Sequence, residues 1–202
     1  PDLRYLQIGR AALDRSFISL FSSFQSKDLR SLSLSCSLNI FPHIAAGFPL
    51  LESLLFDTVE LAVSMDSQSE SFWPLCNLKT IVIGKFSRQI GKTQVPYLIR
   101  VLVSLFQSCR STIETIAIQG MLHVAMPADV SELLIRISPL PRLSMLQIPE
   151  LEFSISKLEA ELGRDGLSPQ LTRLLIKERD GDRGARAIKC LSPHLHKLKL
   201  CK

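Results

Sequence analysis

Three places in the chain carry residue types that could do chemistry. The first is Ile83-Gly84-Lys85-Phe86-Ser87-Arg88-Gln89-Ile90-Gly91-Lys92-Thr93, where Gly-Lys-Thr falls between a strand-like run and a helix-like run. A phosphate-binding loop occupies such a place, but it needs a glycine five residues before Gly91 so that backbone amides can wrap the phosphates. Phe86 stands there, so the expectation is a basic strand-to-helix connection and no nucleotide. The second is Cys190, His194, His196 and Cys201. Zinc sites use paired ligands at short fixed spacings, and these four do not follow them. They also straddle a leucine that must face a core, so no metal is expected. The third is the pair His43 and His123, with no serine or cysteine nucleophile motif near either. A triad is defined by geometry and not by order, yet no carboxylate pair or nucleophile motif singles out a reaction. Glu159, Glu161 and Asp165 read as a solvated helix face. The expectation is therefore no catalytic residue, no cofactor and no metal, and a chain that is not an enzyme.

The elements that would position any functional surface are far more legible. One short phrase returns eight times: an aliphatic or aromatic residue, two unrestricted positions, another, one unrestricted position, and a third. The copies are Leu3-Leu6-Ile8, Leu29-Leu32-Leu34, Leu51-Leu54-Phe56, Leu78-Ile81-Ile83, Ile113-Ile116-Ile118, Leu143-Leu146-Ile148, Leu171-Leu174-Ile176 and Leu195-Leu198-Leu200. Their starts are 22 to 35 residues apart, a period that marks stacked repeats. Within each phrase the last two apolar positions alternate with a free one, the period of a strand with one buried face. Proline stands two residues ahead of five copies, at Pro1, Pro49, Pro141, Pro169 and Pro193. It ends a preceding helix and favours extended entry into the strand.

Between phrases lie stretches with apolar residues every three or four positions: Leu13–Gln25, Val95–Cys109, Asp129–Ile137, Ile155–Leu162 and Arg183–Leu191. Each shows the one-sided stripe of a helix packed on a core. Asp129 and Ser154 suit the helix starts and Gly163 a helix stop. Strands alternating with helices predict an α/β architecture with a parallel sheet and the helices stacked behind it. No single unit can bury its own apolar face, so neighbours must cover it.

The phrase and its proline offset give the chain its resemblance to leucine-rich-repeat proteins. It most resembles the irregular, helix-backed repeats of F-box leucine-rich-repeat proteins, fungal ones especially, in its variable repeat length and in runs such as Phe48-Pro49-Leu50-Leu51-Glu52-Ser53-Leu54. The resemblance spans nearly all of residues 1–202 and implies one α/β domain of about eight irregular repeats. In such a horseshoe-shaped solenoid the parallel sheet is concave and the helices are convex. It further implies a protein-interaction scaffold: the substrate-recognition repeats of an F-box-type ubiquitin ligase adaptor, cytoplasmic or nuclear. Alternatives are the sensor repeats of a nucleotide-binding immune-type receptor, or a basic face that binds nucleic acid or phospholipid. Single-stranded nucleic acid is disfavoured because the sheet lacks interleaved aromatics at its basic end. One departure stands out. Where many such repeats place Asn or Cys after the strand, this chain has Ala11, Ser37, Val59, Phe86, Met121, Leu151 and Arg179. Irregular turns and uneven curvature are expected there.

Composition agrees with a globular interaction domain. Hydrophobic residues make up 46% and charged residues 21%, ordinary values for a folded domain. No run approaches the ~18 apolar residues of a membrane span, and no secretory signal opens the chain. The cysteines Cys36, Cys76, Cys109, Cys190 and Cys201 are odd in number and scattered, which suggests reduced thiols inside a cell. The chain begins inside a repeat and its last phrase stops two residues from the end, so the expectation is a segment of a longer protein without its capping repeats. The polar run within Ala62–Trp73 reads as a surface loop.

Alternation also assigns the partner-binding face. Beside the inward aliphatics lie Tyr5 and Gln7; Ser31 and Ser33; Ser53, Leu55 and Asp57; Thr80 and Val82; Thr115, Ala117 and Gln119; Met145 and Gln147; Arg173, Leu175 and Lys177; and Lys197 and Lys199. Of these, Tyr5, Leu55, Asp57, Val82, Gln119, Met145, Gln147, Arg173, Lys177, Lys197 and Lys199 are the candidate contact residues. The middle is small or apolar and the C-terminal end is basic. Residues 171–202 hold nine Lys or Arg against three Asp or Glu, a balance of +6, while the rest hold fifteen against sixteen; together they give the net +5. Such an end would steer acidic or phosphorylated protein segments toward it.

Overall fold

The proline-marked turns come first in the path of the chain. In the computed structural model of the protein, which describes residues 3–10, 23, 26–37, 41–60, 75–86, 95–119, 127–137, 139–153, 160, 168–178, 195 and 197–201, the amide of the first leucine in four of the phrases closes a reverse turn. Leu51 donates to the Phe48 carbonyl, Leu78 to Leu75, Leu143 to Leu140 and Leu171 to Ser168. Pro49, Pro141 and Pro169 occupy the second place of three of these turns, where a fixed φ near −65° is already correct. The prolines thus build the turn itself. The turn's first residue is buried in every case, as Phe48, Leu75, Leu140 and Ser168.

Each turn delivers the chain into a strand. The order is β1 (Tyr5–Arg10), β2 (Ser31–Ser37), α1 (Phe41–Gly47), β3 (Ser53–Glu60), β4 (Thr80–Phe86), α2 (Val95–Ser108), β5 (Thr115–Ile118), α3 (Pro127–Ile137), β6 (Met145–Phe153), β7 (Arg173–Glu178) and β8 (Lys197–Cys201). The eight strands form one sheet in sequence order, and every neighbouring pair is parallel. The protein is therefore an α/β chain built on a parallel sheet.

Register follows the phrase. Leu6, Leu32, Leu54, Ile81, Ile116, Leu146, Leu174 and Leu198 are successive partners across all eight strands. Leu32, Leu54, Ile81, Ile116 and Leu146 are almost wholly inaccessible, as are the leading residues Leu29, Leu51, Leu78, Ile113, Leu143 and Leu171. They share one core with Leu98, Leu102, Leu105 and Phe106 of α2 and Leu133, Leu134 and Ile137 of α3. The helices therefore back one face of the sheet. A one-residue slip would put each strand's apolar set on the wrong face, so burial and register enforce each other.

A second spine holds the entry to the strands. The carbonyl of Arg4 accepts the amides of both Arg30 and Ser31, that of Arg30 accepts Glu52 and Ser53, and that of Glu52 accepts Lys79 and Thr80. The pattern continues from Lys79 to Glu114 and Thr115, from Glu114 to Ser144 and Met145, and from Ser144 to Thr172 and Arg173. Side chains add rung-to-rung bonds: Thr112 Oγ1 donates to the Leu78 carbonyl at 2.9 Å and Ser168 Oγ to that of Leu140 at 2.9 Å.

Several expectations are revised. Irregular turns were expected at Ser37, Val59, Phe86 and Leu151; Val59 and Leu151 lie inside strands, Ser37 and Phe86 are the last residues of theirs, and Cys36↔Val59, Ser37↔Glu60 and Val59↔Phe86 are paired. With no Asn to close a turn, the ladder runs on, and Val59 is buried in the core. Irregularity enters instead as register shifts within β1, β3 and β6. Helix α3 begins at Pro127, so Asp129 lies inside its first turn and does not precede it; proline is favoured at that first position. Helix α1 was not anticipated. Its residues Ile44 and Ala45, with Phe48 beyond it, enter the core. The helices expected over Leu13–Gln25, Ile155–Leu162 and Arg183–Leu191 lie outside the described residues except for Ser23 and Ala160, which are helical. The polar loop at 62–73 lies outside them entirely.

Candidate interaction face

The face of the sheet away from the helices is organised as bands that run across the strands. Column by column, register puts Tyr5, Ser31, Ser53, Thr80, Thr115, Met145, Arg173 and Lys197 in one row. Gln7, Ser33, Leu55, Val82, Ala117, Gln147, Leu175 and Lys199 form the next. The first row is a ladder of four neighbouring hydroxyls, all half-buried. In the second, Leu55 and Val82 are half-buried, while Ser33 and Ala117 are each only 3% exposed because larger neighbours flank them.

The candidate contact residues take the following places in the sheet. Tyr5 is 53% exposed, and its hydroxyl donates to Gln7 Oε1 at 3.0 Å. Asp57, Gln119 and Arg173 are exposed; Met145 and Gln147 are half-buried, joined by a 3.1 Å contact from Gln147 Nε2 to Met145 Sδ. Lys197 pairs in register with Arg173 and Lys199 with Leu175, while Lys177 lies between Glu152 and Cys201. The basic end is therefore concentrated on two adjacent strands.

Asp57 sits at a bulge. Strand β3 has one more residue here than β2, which passes from Leu34↔Phe56 directly to Ser35↔Thr58. Opposite Asp57, between the pairs Phe56↔Ile83 and Thr58↔Lys85, lies Gly84. A Cβ added there would collide with the Asp57 carbonyl oxygen and lie 2.9 Å from that of Phe56. Gly84 thus belongs to a close backbone approach, which gives this glycine a packing role. Gly91, Lys92 and Thr93 lie outside the described residues.

A third band was missed by sequence reasoning. The residues just before β1 to β5, Arg4, Arg30, Glu52, Lys79 and Glu114, form a charged rim above the hydroxyl ladder. Glu52 bridges Lys79 at 2.8 Å and Arg30 at 3.8 Å. The hydrogen bond and charge of Lys79 hold the Glu52 carboxyl below the usual range, and Glu52 in turn raises the Lys79 ammonium. Arg4, Asp28, Arg30 and Glu52 line an open hollow at the β1 end of this rim. The signal existed in the second position of each phrase read as a column, though partners 22 and 27 residues apart meet only once the register is known.

Of the other chemistry candidates, His43 lies on α1 and Cys201 ends β8, while His123, Cys190, His194 and His196 lie outside the described residues, as do Glu159, Glu161 and Asp165. Among the described residues no group of three or more His, Cys, Asp or Glu side chains could hold a metal ion. Among them, too, no helix is long and apolar enough to cross a membrane. Comparison with protein families and with curated proteins finds no match.

Proposed function

We propose that residues 1–202 form a leucine-rich-repeat solenoid that acts by binding another protein on its open sheet face, and that it is not an enzyme. In the fuller reading it is the substrate-recognition part of an F-box-type ubiquitin ligase adaptor working inside the cell. One observation carries the binding reading: the phrase positions that alternate with the inward aliphatics align into rows across the sheet, with half-buried Leu55 and Val82 at their centre and Arg173, Lys197 and Lys199 at one end of the register. Partly desolvated apolar contacts at the centre of a patch supply affinity, and a basic end selects partners by charge. The ligase assignment rests on the resemblance alone, a fold-level analogy.

The test uses the full-length protein from its source cell. Wild type is expected to co-purify a ligase adaptor subunit together with a substrate, and Leu55→Glu with Val82→Glu is expected to lose the substrate while keeping the adaptor and an unchanged circular dichroism spectrum. Equal substrate recovery from wild type and variant would remove the face from consideration. Absence of any ligase subunit would remove the ligase assignment and leave the binding reading in place.

A further inference from the structure

We propose that the open face receives an amphipathic α-helix laid across the strands, with its apolar stripe on Leu55, Val82 and Ala117 and its acidic end over β7 and β8. This deepens the reading of the face as a partner-binding surface and rests on it.

Direction comes first. The hydroxyl row and the small-apolar row both run perpendicular to the strands, so a partner that matches either row must lie along it. Backbone chemistry then chooses the partner's conformation. Strands β2 to β7 are paired on both sides, so their backbone has few donors or acceptors to offer. An extended peptide on this face would need Ser31, Ser53, Thr80 and Thr115 to satisfy its own backbone groups. Those hydroxyls recur at the strand spacing of about 4.8 Å, whereas an extended chain presents equivalent groups every ~6.7 Å. The mismatch of about 2 Å per rung leaves peptide groups unsatisfied, which is costly once water is excluded. A helix satisfies its backbone internally, and its 5.4 Å turn departs from the rung spacing by only ~0.6 Å.

The extent of the apolar band fits the same occupant. Half-buried Leu55 and Val82 lie between the nearly covered Ser33 and Ala117 in one row from β2 to β5. Three strand spacings make this band about 14 Å long, the length of roughly ten helical residues. Apolar residues at i, i+3, i+4 and i+7 would match it.

Charge sets the orientation. The rim beside this band is largely self-compensated, because Glu52 is paired with both Lys79 and Arg30. Net attraction lies instead at the other end, where exposed Arg173 has Lys197 as its register neighbour and Lys199 lies two pairs further along. An acidic helix end is complementary to that cluster.

The test is selection against the immobilised chain of residues 1–202 from two displayed libraries, one a helical scaffold randomised on one face and the other linear 12-residue peptides. The expected outcome is that binders come from the helical library, carry an apolar stripe with Asp or Glu at one end, and weaken at least tenfold on folded Val82→Glu and severalfold on Arg173→Glu. Linear binders without helical periodicity, sensitive to Val82→Glu, would overturn the helix and leave the binding face standing. Binders indifferent to both Val82→Glu and Leu55→Glu, or no binders above an unrelated control, would overturn the face as well.

Discussion

Gly84→Ala isolates a close backbone approach in the sheet. Alanine places a methyl group against the Asp57 carbonyl oxygen, 2.9 Å from the Phe56 carbonyl oxygen and 3.0 Å from the Asp57 carbonyl carbon. All three atoms are backbone, so no side chain can swing away. Strand β3 cannot withdraw freely, because it is also paired with β2, and β4 is held by β5. Forcing extra volume into such a site costs about 1–3 kcal/mol. Replacing glycine inside a strand returns about 0.5–1 kcal/mol of chain entropy. The net expectation is a loss of about 1–2 kcal/mol, read as a lower urea midpoint with an unchanged slope and a melting temperature lowered by about 2–8 °C in a chain of this size. Gly9→Ala is the matched control, since a Cβ there meets nothing within 4 Å; it should be neutral or slightly stabilising. The reasoning fails if Gly84→Ala is as stable as wild type, or if Gly9→Ala loses as much.

Further predictions concern the turns, the rim and the thiols. Ser168 is buried and bonds the carbonyls of Leu140 and Leu143 at 2.9 and 3.3 Å; Ser168→Ala should cost about 1–2 kcal/mol in denaturant unfolding, and no loss would show those bonds to be dispensable. Because the Glu52 carboxyl is held below its ordinary value of 4.5, its contribution is present above that pH and lost as pH falls through the lowered value. The Lys79 ammonium, raised above 10.5, contributes below that pH and loses its effect as pH rises through the raised value. Glu52→Gln should therefore flatten part of the acid limb of a stability–pH curve, modestly and less so in high salt; an identical acid limb in both proteins contradicts the pairing. Burial pushes the Cys109 thiol up to about 12, while Cys76 is exposed. Peptide mapping after maleimide treatment at pH 8 should find Cys76 modified and Cys109 protected until the chain is unfolded; early modification of Cys109 would contradict its burial.

The phrase made the sheet legible because one physical fact, burial of alternate residues, fixes both strand identity and register. Leu54, Ile81 and Ile116 align across neighbouring strands as their shared place in the phrase requires. The long helix α2 was equally plain, because its fourteen residues carry a sustained apolar stripe. Helix α1 was not: seven residues that include Pro42 and Gly47 are too short for periodicity to speak. The bulge at Asp57 and the need for glycine at position 84 depend on how two backbones meet, which no single strand encodes. Alternation placed Ser33 and Ala117 on the open face correctly, but their small size lets flanking side chains cover them, so position alone overstated their accessibility.

The central claim is that the phrases lie side by side as in-register parallel strands. Hydrogen-bond scalar couplings in a deuterated sample test it directly, by linking a donor nitrogen to its acceptor carbonyl carbon. The structure predicts couplings from Thr80 N to the Glu52 carbonyl and from Thr115 N to that of Lys79, whose N···O distances are 3.0 and 2.9 Å. Couplings from those amides to residues four positions earlier in the chain, or to an antiparallel neighbour, would contradict it.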